Sequence, residues 1–191
     1  MPPSTIMLIR HGEKPTRDPS VFGVDKTGRE DEDDLSVRGW QRAGALARFF
    51  LPRAGAPVPP LAVPTRLYAP DPTAKRPSKR ALHTLGPLAH LSGIARDTRF
   101  HVGEEADLAA AVLSATGVAL VAWEHRRIAD IVAHLTAGAV TAPFWPEDRF
   151  DVVIVLDRAP GWRLTQAFQM LLPGDTDNPL PATGEDEENG T

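Results

Sequence analysis

The sequence predicts an α/β fold: a three-layer sandwich with a mostly parallel central sheet and helices on both faces. Three observations predict it. Strand-like and helix-like segments alternate along most of the chain, the pattern of strands joined by helical crossovers. Residues 6–9 and 118–123 are short apolar runs, as expected of buried strands. The chain has 191 residues, enough for one domain with a sizeable core.

The elements follow in order. Residues 5–9 read as the first strand, and residues 14–34 as a long polar loop. A helix is expected from an N-cap at Ser36 to about Phe50, with Leu46, Phe49 and Phe50 among its apolar positions. Its Gly39 and Gly44 lower the intrinsic propensity. Residues 52–64 hold Pro52, Pro57, Pro59, Pro60 and Pro64 and are read as a loop. A short strand over 67–69 is stopped by Pro70 and Pro72. Leu82, Leu85, Leu88 and Leu91 give residues 78–91 a helical period, with a kink expected at Gly86-Pro87. Residues 104–115 form a helix that is acidic at its start and closed by Gly117. Then come a buried strand over 118–123, a helix over 127–136 and a strand over 152–156. An edge strand over 162–170 is expected to be hairpin-paired through residues 158–161.

Composition sets the domain limits and excludes several classes. Residues 1–172 are read as one domain, and residues 173–191 as an acidic, disordered or loosely draped tail. The absence of cysteine rules out disulfides, thiolate catalysis and cysteine-ligated zinc. No apolar run approaches the roughly 18 residues of a membrane span, so no membrane partner is expected. The first strand begins near Thr5, which leaves no room for a secretory signal, and the expected location is cytoplasmic. The net charge is −4, yet six of the acids lie after Gly174. Residues 1–174 hold 21 basic against 19 acidic residues, a mildly basic balance of +2 that suits a small anionic substrate. The basic stripe with interleaved aromatics that marks nucleic-acid binders is missing, so no nucleic-acid partner is expected. No feature specifies an oligomeric state.

The most informative stretch is Ile6-Met7-Leu8-Ile9-Arg10-His11-Gly12-Glu13. It places a guanidinium, an imidazole and a glycine at the carboxyl end of the first strand, where ligands of open α/β sheets gather. A phosphate suits that combination. The stretch resembles the signature of the histidine phosphatase superfamily, the phosphoglycerate-mutase-like proteins. Three further segments agree in order: Leu35 to Ala43 with the family's first helix, Ser78 to Thr84 with its Arg-Ala-x-x-Thr segment, and Leu120 to His125 with the strand that delivers a second histidine. The resemblance spans about residues 5–156.

The resemblance implies a phosphoglycerate-mutase-like fold and a metal-independent phosphatase acting on a phosphomonoester, a small molecule or a phosphoprotein. In that reading His11 is the nucleophile and forms a phosphohistidine. Arg10 and Arg80 clamp the phosphate, with Arg76 and Lys79 as rivals to Arg80, and His125 donates to the phosphoryl group. The proton donor to the leaving group is the least determined. Glu104 and Glu105 fall at the family's distance after Arg80, Glu124 is a third candidate, and Glu105 is the choice. Arg126 and Arg127 stand where one branch of the family has an acidic residue, which argues against the acid-phosphatase branch.

Lys14 or Arg17 is placed to touch a second anionic group of the substrate. The acidic run 30–34 is read as a solvated surface. Should it border the pocket, it would favour singly phosphorylated or basic substrates. His83, His90 and His134 are read as structural or exposed. No histidine pair has metal-ligand spacing, so no metal and no cofactor are expected. A phosphate-recognising module with little turnover and a phosphomutase are the competing readings.

Overall fold

The structure, a computed structural model, describes residues 5–158 and 160–182. Six strands form one sheet: β1 (Thr5–Arg10), β2 (Arg66–Tyr68), β3 (Arg96–Asp97), β4 (Val118–Trp123), β5 (Val152–Asp157) and β6 (Arg163–Phe168). Their order is β3-β2-β4-β1-β5-β6. The first four are mutually parallel, and β5 and β6 add an antiparallel edge. The expected mixed but mostly parallel sheet is therefore present, and the two-residue β3 is the strand that its polar sequence hid.

Five helices cover the two faces: α1 (Val37–Phe50), α2 (Arg80–Thr84), α3 (Gly86–Ser92), α4 (Glu105–Ser114) and α5 (His125–Thr136). The alternation of side chains along each strand sorts the core into two. Ile6, Leu8, Val121, Trp123 and Ile154 pack under α4 and α5. Met7, Ile9, Leu120, Ala122 and Val153 pack under α1, α2 and α3. Burial on both faces explains the unbroken apolar runs of β1, β4 and β5.

Two helical boundaries differ from expectation. The helix expected over 78–91 is two helices meeting at Leu85. Pro87 has no N–H to donate, so it opens α3 instead of continuing α2. Helix α5 starts at His125, two residues early, because Glu124 remains extended and lets the turn begin at the next residue.

Residues 173–182 were expected to belong to a disordered tail and instead pack on the domain. Leu180 enters the core, Pro181 accepts from the Phe144 N–H at 2.9 Å, and Asp175 is buried beside Arg42. Composition suggested disorder, but the carboxylate answers a buried cation. The remainder of that tail, residues 183–191, and residue 159 of the β5–β6 turn lie outside the described residues. No helix among the described residues is long and apolar enough to cross a membrane.

Candidate active site

The carboxyl ends of β1 and β4 lie side by side, with Arg10 in register with Trp123. His11 and His125 follow those strands directly and meet in one cavity of about 310 Å³. Arg80, at the start of α2, lines the same cavity, as do Lys14, Arg76, Glu124 and Arg126. Three separate stretches of sequence thus converge at one sheet edge.

Backbone contacts fix the motif loop. Gly12 packs so closely that an added Cβ would lie 2.9 Å from the Gly39 carbonyl oxygen. Ser36 caps α1 by accepting from Gly39 N–H, and its backbone N–H and hydroxyl both donate to the Glu13 carbonyl, at 2.9 and 3.1 Å. Thr84 supplies the tie to α2. Its hydroxyl accepts from Gly12 N–H at 2.8 Å and donates to the Arg80 carbonyl at 2.7 Å. One buried hydroxyl thereby couples the Arg10-His11-Gly12 loop to the helix turn that carries Arg80, which gives the threonine of the Arg-Ala-x-x-Thr segment its physical purpose.

His11 is buried, and its Nδ1 lies 2.7 Å from the Gly12 carbonyl oxygen. A carbonyl only accepts, so Nδ1 carries the proton and Nε2 keeps its lone pair. Burial, reinforced by the nearby Arg10 charge, lowers the His11 pKa to about 3. The same two causes lower His125 to about 4. Both imidazoles are neutral at pH 7.

Arg10 does not line the cavity but lies behind it, within electrostatic reach of both imidazoles. It is 1% exposed. Its Nη1 donates to the carbonyls of Pro146, Glu147 and Arg149, and its plane stacks 3.9 Å from the Phe150 ring centroid. Burial lowers its pKa to about 10, still well above neutrality. Its Nε and Nη2, together with Nδ1 of His125, are buried with no hydrogen-bond partner among the described residues. Buried donors without partners are costly, and an anion bound here would satisfy them. Arg80 is half-buried, with Nε and Nη2 donating to the carbonyls of Asp34 and Glu32 at 3.1 and 2.5 Å.

The remaining sequence-predicted residues divide. Lys14 reaches the cavity, 3.9 Å from Glu147, whereas Arg17 is exposed and away from it. Glu105 is buried but outside the cavity. It accepts from Trp123 Nε1 at 3.0 Å and from Gly103 N–H at 2.9 Å. An indole N–H enclosed in the core needs an acceptor, and Glu105 supplies it. Glu104 caps the preceding turn through His101 N–H. Of the three glutamates, only Glu124 lines the cavity, 3.4 Å from Arg76. Arg126 was not singled out as a site residue; its place one step after His125, on the first turn of α5, is the signal that would have found it.

The acidic run 30–34 is no mere solvated surface. Asp34 is fully buried against His83 at 2.7 Å, Asp31 pairs with Lys79 at 2.6 Å, and Asp33 lines the cavity.

Comparison with known structures agrees with this fold. The protein histidine phosphatase SixA complexed with tungstate matches with a TM-score of 0.53 and 15% identity, over 86% of this chain and 97% of that one. The fold is that of the histidine phosphatases. A second structure with the histidine phosphatase fold found here, "Mycobacterial hydrolase 1", matches with a TM-score of 0.51 and 15% identity, over 88% of this chain and 99% of that one. No protein-family model matches the sequence, and no curated protein does.

The neutral imidazoles make acid stability a test of this geometry. Histidines in the unfolded chain titrate near 6.5, so below that pH the unfolded state takes up protons that folded His11 and His125 refuse. Their contribution is present above about pH 6.5 and lost as pH falls toward the folded values, at about 1.4 kcal/mol per pH unit for each histidine. Urea midpoints are expected to fall from pH 7 to pH 5, and the His11→Asn/His125→Asn protein to lose part of that slope. An unchanged slope would show that neither histidine is held neutral.

Proposed function

We propose that the protein is a phosphatase that hydrolyses a phosphomonoester without a metal, through a phosphohistidine on His11. One observation carries the reading: a tautomerically fixed, neutral imidazole beside a buried guanidinium with two unsatisfied nitrogens. The first supplies a nucleophile, and the second supplies donors for phosphoryl oxygens.

In this reading the phosphoryl group rests among Arg10, Arg80 and His125. Nε2 of His11 attacks phosphorus, and the P–O bond to the leaving group breaks with its electron pair passing to that oxygen. Water then attacks the phosphohistidine, the P–N bond breaks, and His11 returns to its neutral form. Charge on the equatorial oxygens is met by the two guanidiniums and by the first turn of α5, whose N-terminus faces the cavity. These groups already supply positive charge where phosphoryl transfer needs it, so the chemistry does not call for a metal.

Glu105 is not retained as the proton donor, because its carboxylate is engaged by Trp123. Glu124 takes that role. It lines the cavity 3.4 Å from Arg76, and comparing leaving groups that need protonation with one that does not tests the role. Glu124→Gln is expected to slow alkyl phosphates roughly 10–100-fold and p-nitrophenyl phosphate much less, whereas Glu105→Gln should not discriminate between the two. Equal losses on both substrates in Glu124→Gln would remove it from the role.

The direct test of the function is hydrolysis of p-nitrophenyl phosphate in EDTA by the intact protein and by His11→Ala. Turnover that survives EDTA and requires His11 supports the reading. Equal turnover in both proteins would remove His11 as nucleophile, and none in either would favour a phosphate-binding module.

A further inference from the structure

Around the mouth of the cavity the charges are unequally matched. The cations there are already engaged by carboxylates. Lys14 stands 3.9 Å from Glu147, Arg126 also pairs with Glu147, and Arg76 lies 3.4 Å from Glu124. Two carboxylates that line the cavity, Asp33 and Asp71, make no side-chain hydrogen bond or ion pair with any described residue. Asp33 is not spare by distance from the chemistry. Among the carboxylates around the Arg80 guanidinium, its field acts most strongly. The cations that neighbour it in space make their hydrogen bonds elsewhere: Lys79 to Asp31, and Arg80 to the carbonyls of Asp34 and Glu32.

This arrangement has a consequence for what accompanies the phosphate. A second anionic group on the substrate would face two carboxylates without hydrogen-bonded partners, or would have to compete with Glu147 or Glu124 for a cation. A neutral leaving group would leave the carboxylates as they are. A cationic one would pair with them while its phosphate meets Arg10 and His125, whose buried donors have no partner. Opposite charges held a few bonds apart in the substrate thus match opposite charges held apart in the cavity.

We propose that the site selects phosphomonoesters whose leaving group carries a positive charge, such as an aminoalkyl phosphate, with Asp33 and Asp71 recognising that charge. The inference rests on the phosphatase reading for the position of the phosphoryl group. It extends that reading to the substrate's other end. Asp33 and Asp71 act here as specificity residues and not in bond breaking.

Three nonhydrolysable probes of similar size separate the charges: aminoethylphosphonate, propylphosphonate and phosphonopropionate. Their inhibition constants against p-nitrophenyl phosphate hydrolysis are to be measured at low ionic strength. Aminoethylphosphonate should bind about 10-fold more tightly than phosphonopropionate, with propylphosphonate between them. In Asp33→Asn/Asp71→Asn that ratio should fall toward one, and each single variant should fall part of the way. The substitutions are isosteric at positions without side-chain partners, and the single variants guard against loss of folding in the double one. Should the protein not turn over p-nitrophenyl phosphate, the phosphatase reading fails, and the same three probes read as shifts in thermal midpoint still decide the charge preference. Equal or tighter binding of phosphonopropionate, or a ratio unchanged in the double variant, overturns the proposal.

Discussion

His11→Ala is expected to reduce the hydrolysis of p-nitrophenyl phosphate by about four orders of magnitude, to the level set by binding and electrostatics alone. The size of the loss follows from the role. A nucleophile forms the P–N bond in the first half of the cycle and is its leaving group in the second, and no neighbouring group can take its place. His125 is the nearest imidazole, but its buried Nδ1 has no carbonyl to fix its tautomer as Gly12 fixes that of His11. The variant should keep its fold, because the loop is also held by Gly12, Glu13 and Ser36 contacts that do not involve the imidazole. Its urea midpoint at pH 7 should therefore stay close to that of the intact protein. Incubation with labelled substrate and a rapid quench should show acid-labile phosphate on the intact protein and none on His11→Ala. Residual activity within about 10-fold of the intact protein would assign the attack to water and leave His11 a binding role.

What the sequence disclosed, and what it withheld, divides along a physical line. Order along the chain and burial of strands were legible because both faces of β1, β4 and β5 are covered, which forces continuous apolar runs. His11, Arg80 and His125 were legible because short motifs at strand and helix ends place them on one sheet edge. The direction of a side chain at a helix start was not legible. Glu105 stands at the expected distance from Arg80, yet its carboxylate turns into the core to serve Trp123 Nε1. The spacing of a motif does not record which neighbour a side chain will satisfy. The acidic run was misjudged for a related reason. Five consecutive acids look solvated, although Asp34 is enclosed with His83 and Trp40 stacks on that histidine with ring centroids 5.3 Å apart. Asp34 also presents its carbonyl to Arg80 Nε, so the loop helps aim that guanidinium.

The tail was legible in principle through Arg42. That residue lies on the inward face of α1, four positions before Leu46 and eight before Phe50, and is 2% exposed. A guanidinium on an apolar helix face has to find carboxylates, and composition alone does not reveal where they come from. Glu13 supplies one, accepting from Nε and from Nη2, the latter at 2.8 Å. Asp175 supplies the other at 2.7 Å, from the segment expected to be loose. Gln169 adds an amide oxygen at 2.8 Å. Burial works against the charge of Arg42, but the bonds to Asp175 and Glu13 override it and raise its pKa. Burial likewise opposes the charge of Asp175, and Arg42 holds that carboxyl below its ordinary value.

Arg42→Ala is therefore expected to destabilise the protein by about 3–5 kcal/mol, the range for removing one partner of a buried pair. The loss exceeds that of a surface ion pair because Glu13 and Asp175 would lose the buried cation between them and keep only the more exposed Arg38, 3.1 and 3.9 Å away. For a domain of this size the thermal midpoint should drop by roughly 10 °C. The urea midpoint is the primary measurement, and Arg42→Met separates charge from packing. Methionine restores part of the apolar bulk but none of the donors, so it should remain close to alanine if the loss of the buried cation dominates. A small loss in both variants would mean that water or a proton satisfies Glu13 and Asp175 without Arg42. The site should register the change as well. Glu13 follows Gly12 directly and its carbonyl anchors Ser36, so releasing its side chain loosens the loop that aims Nε2 of His11. The cation that binds residues 173–182 to the domain thus also steadies the nucleophile, and stability and turnover should fall together in Arg42→Ala.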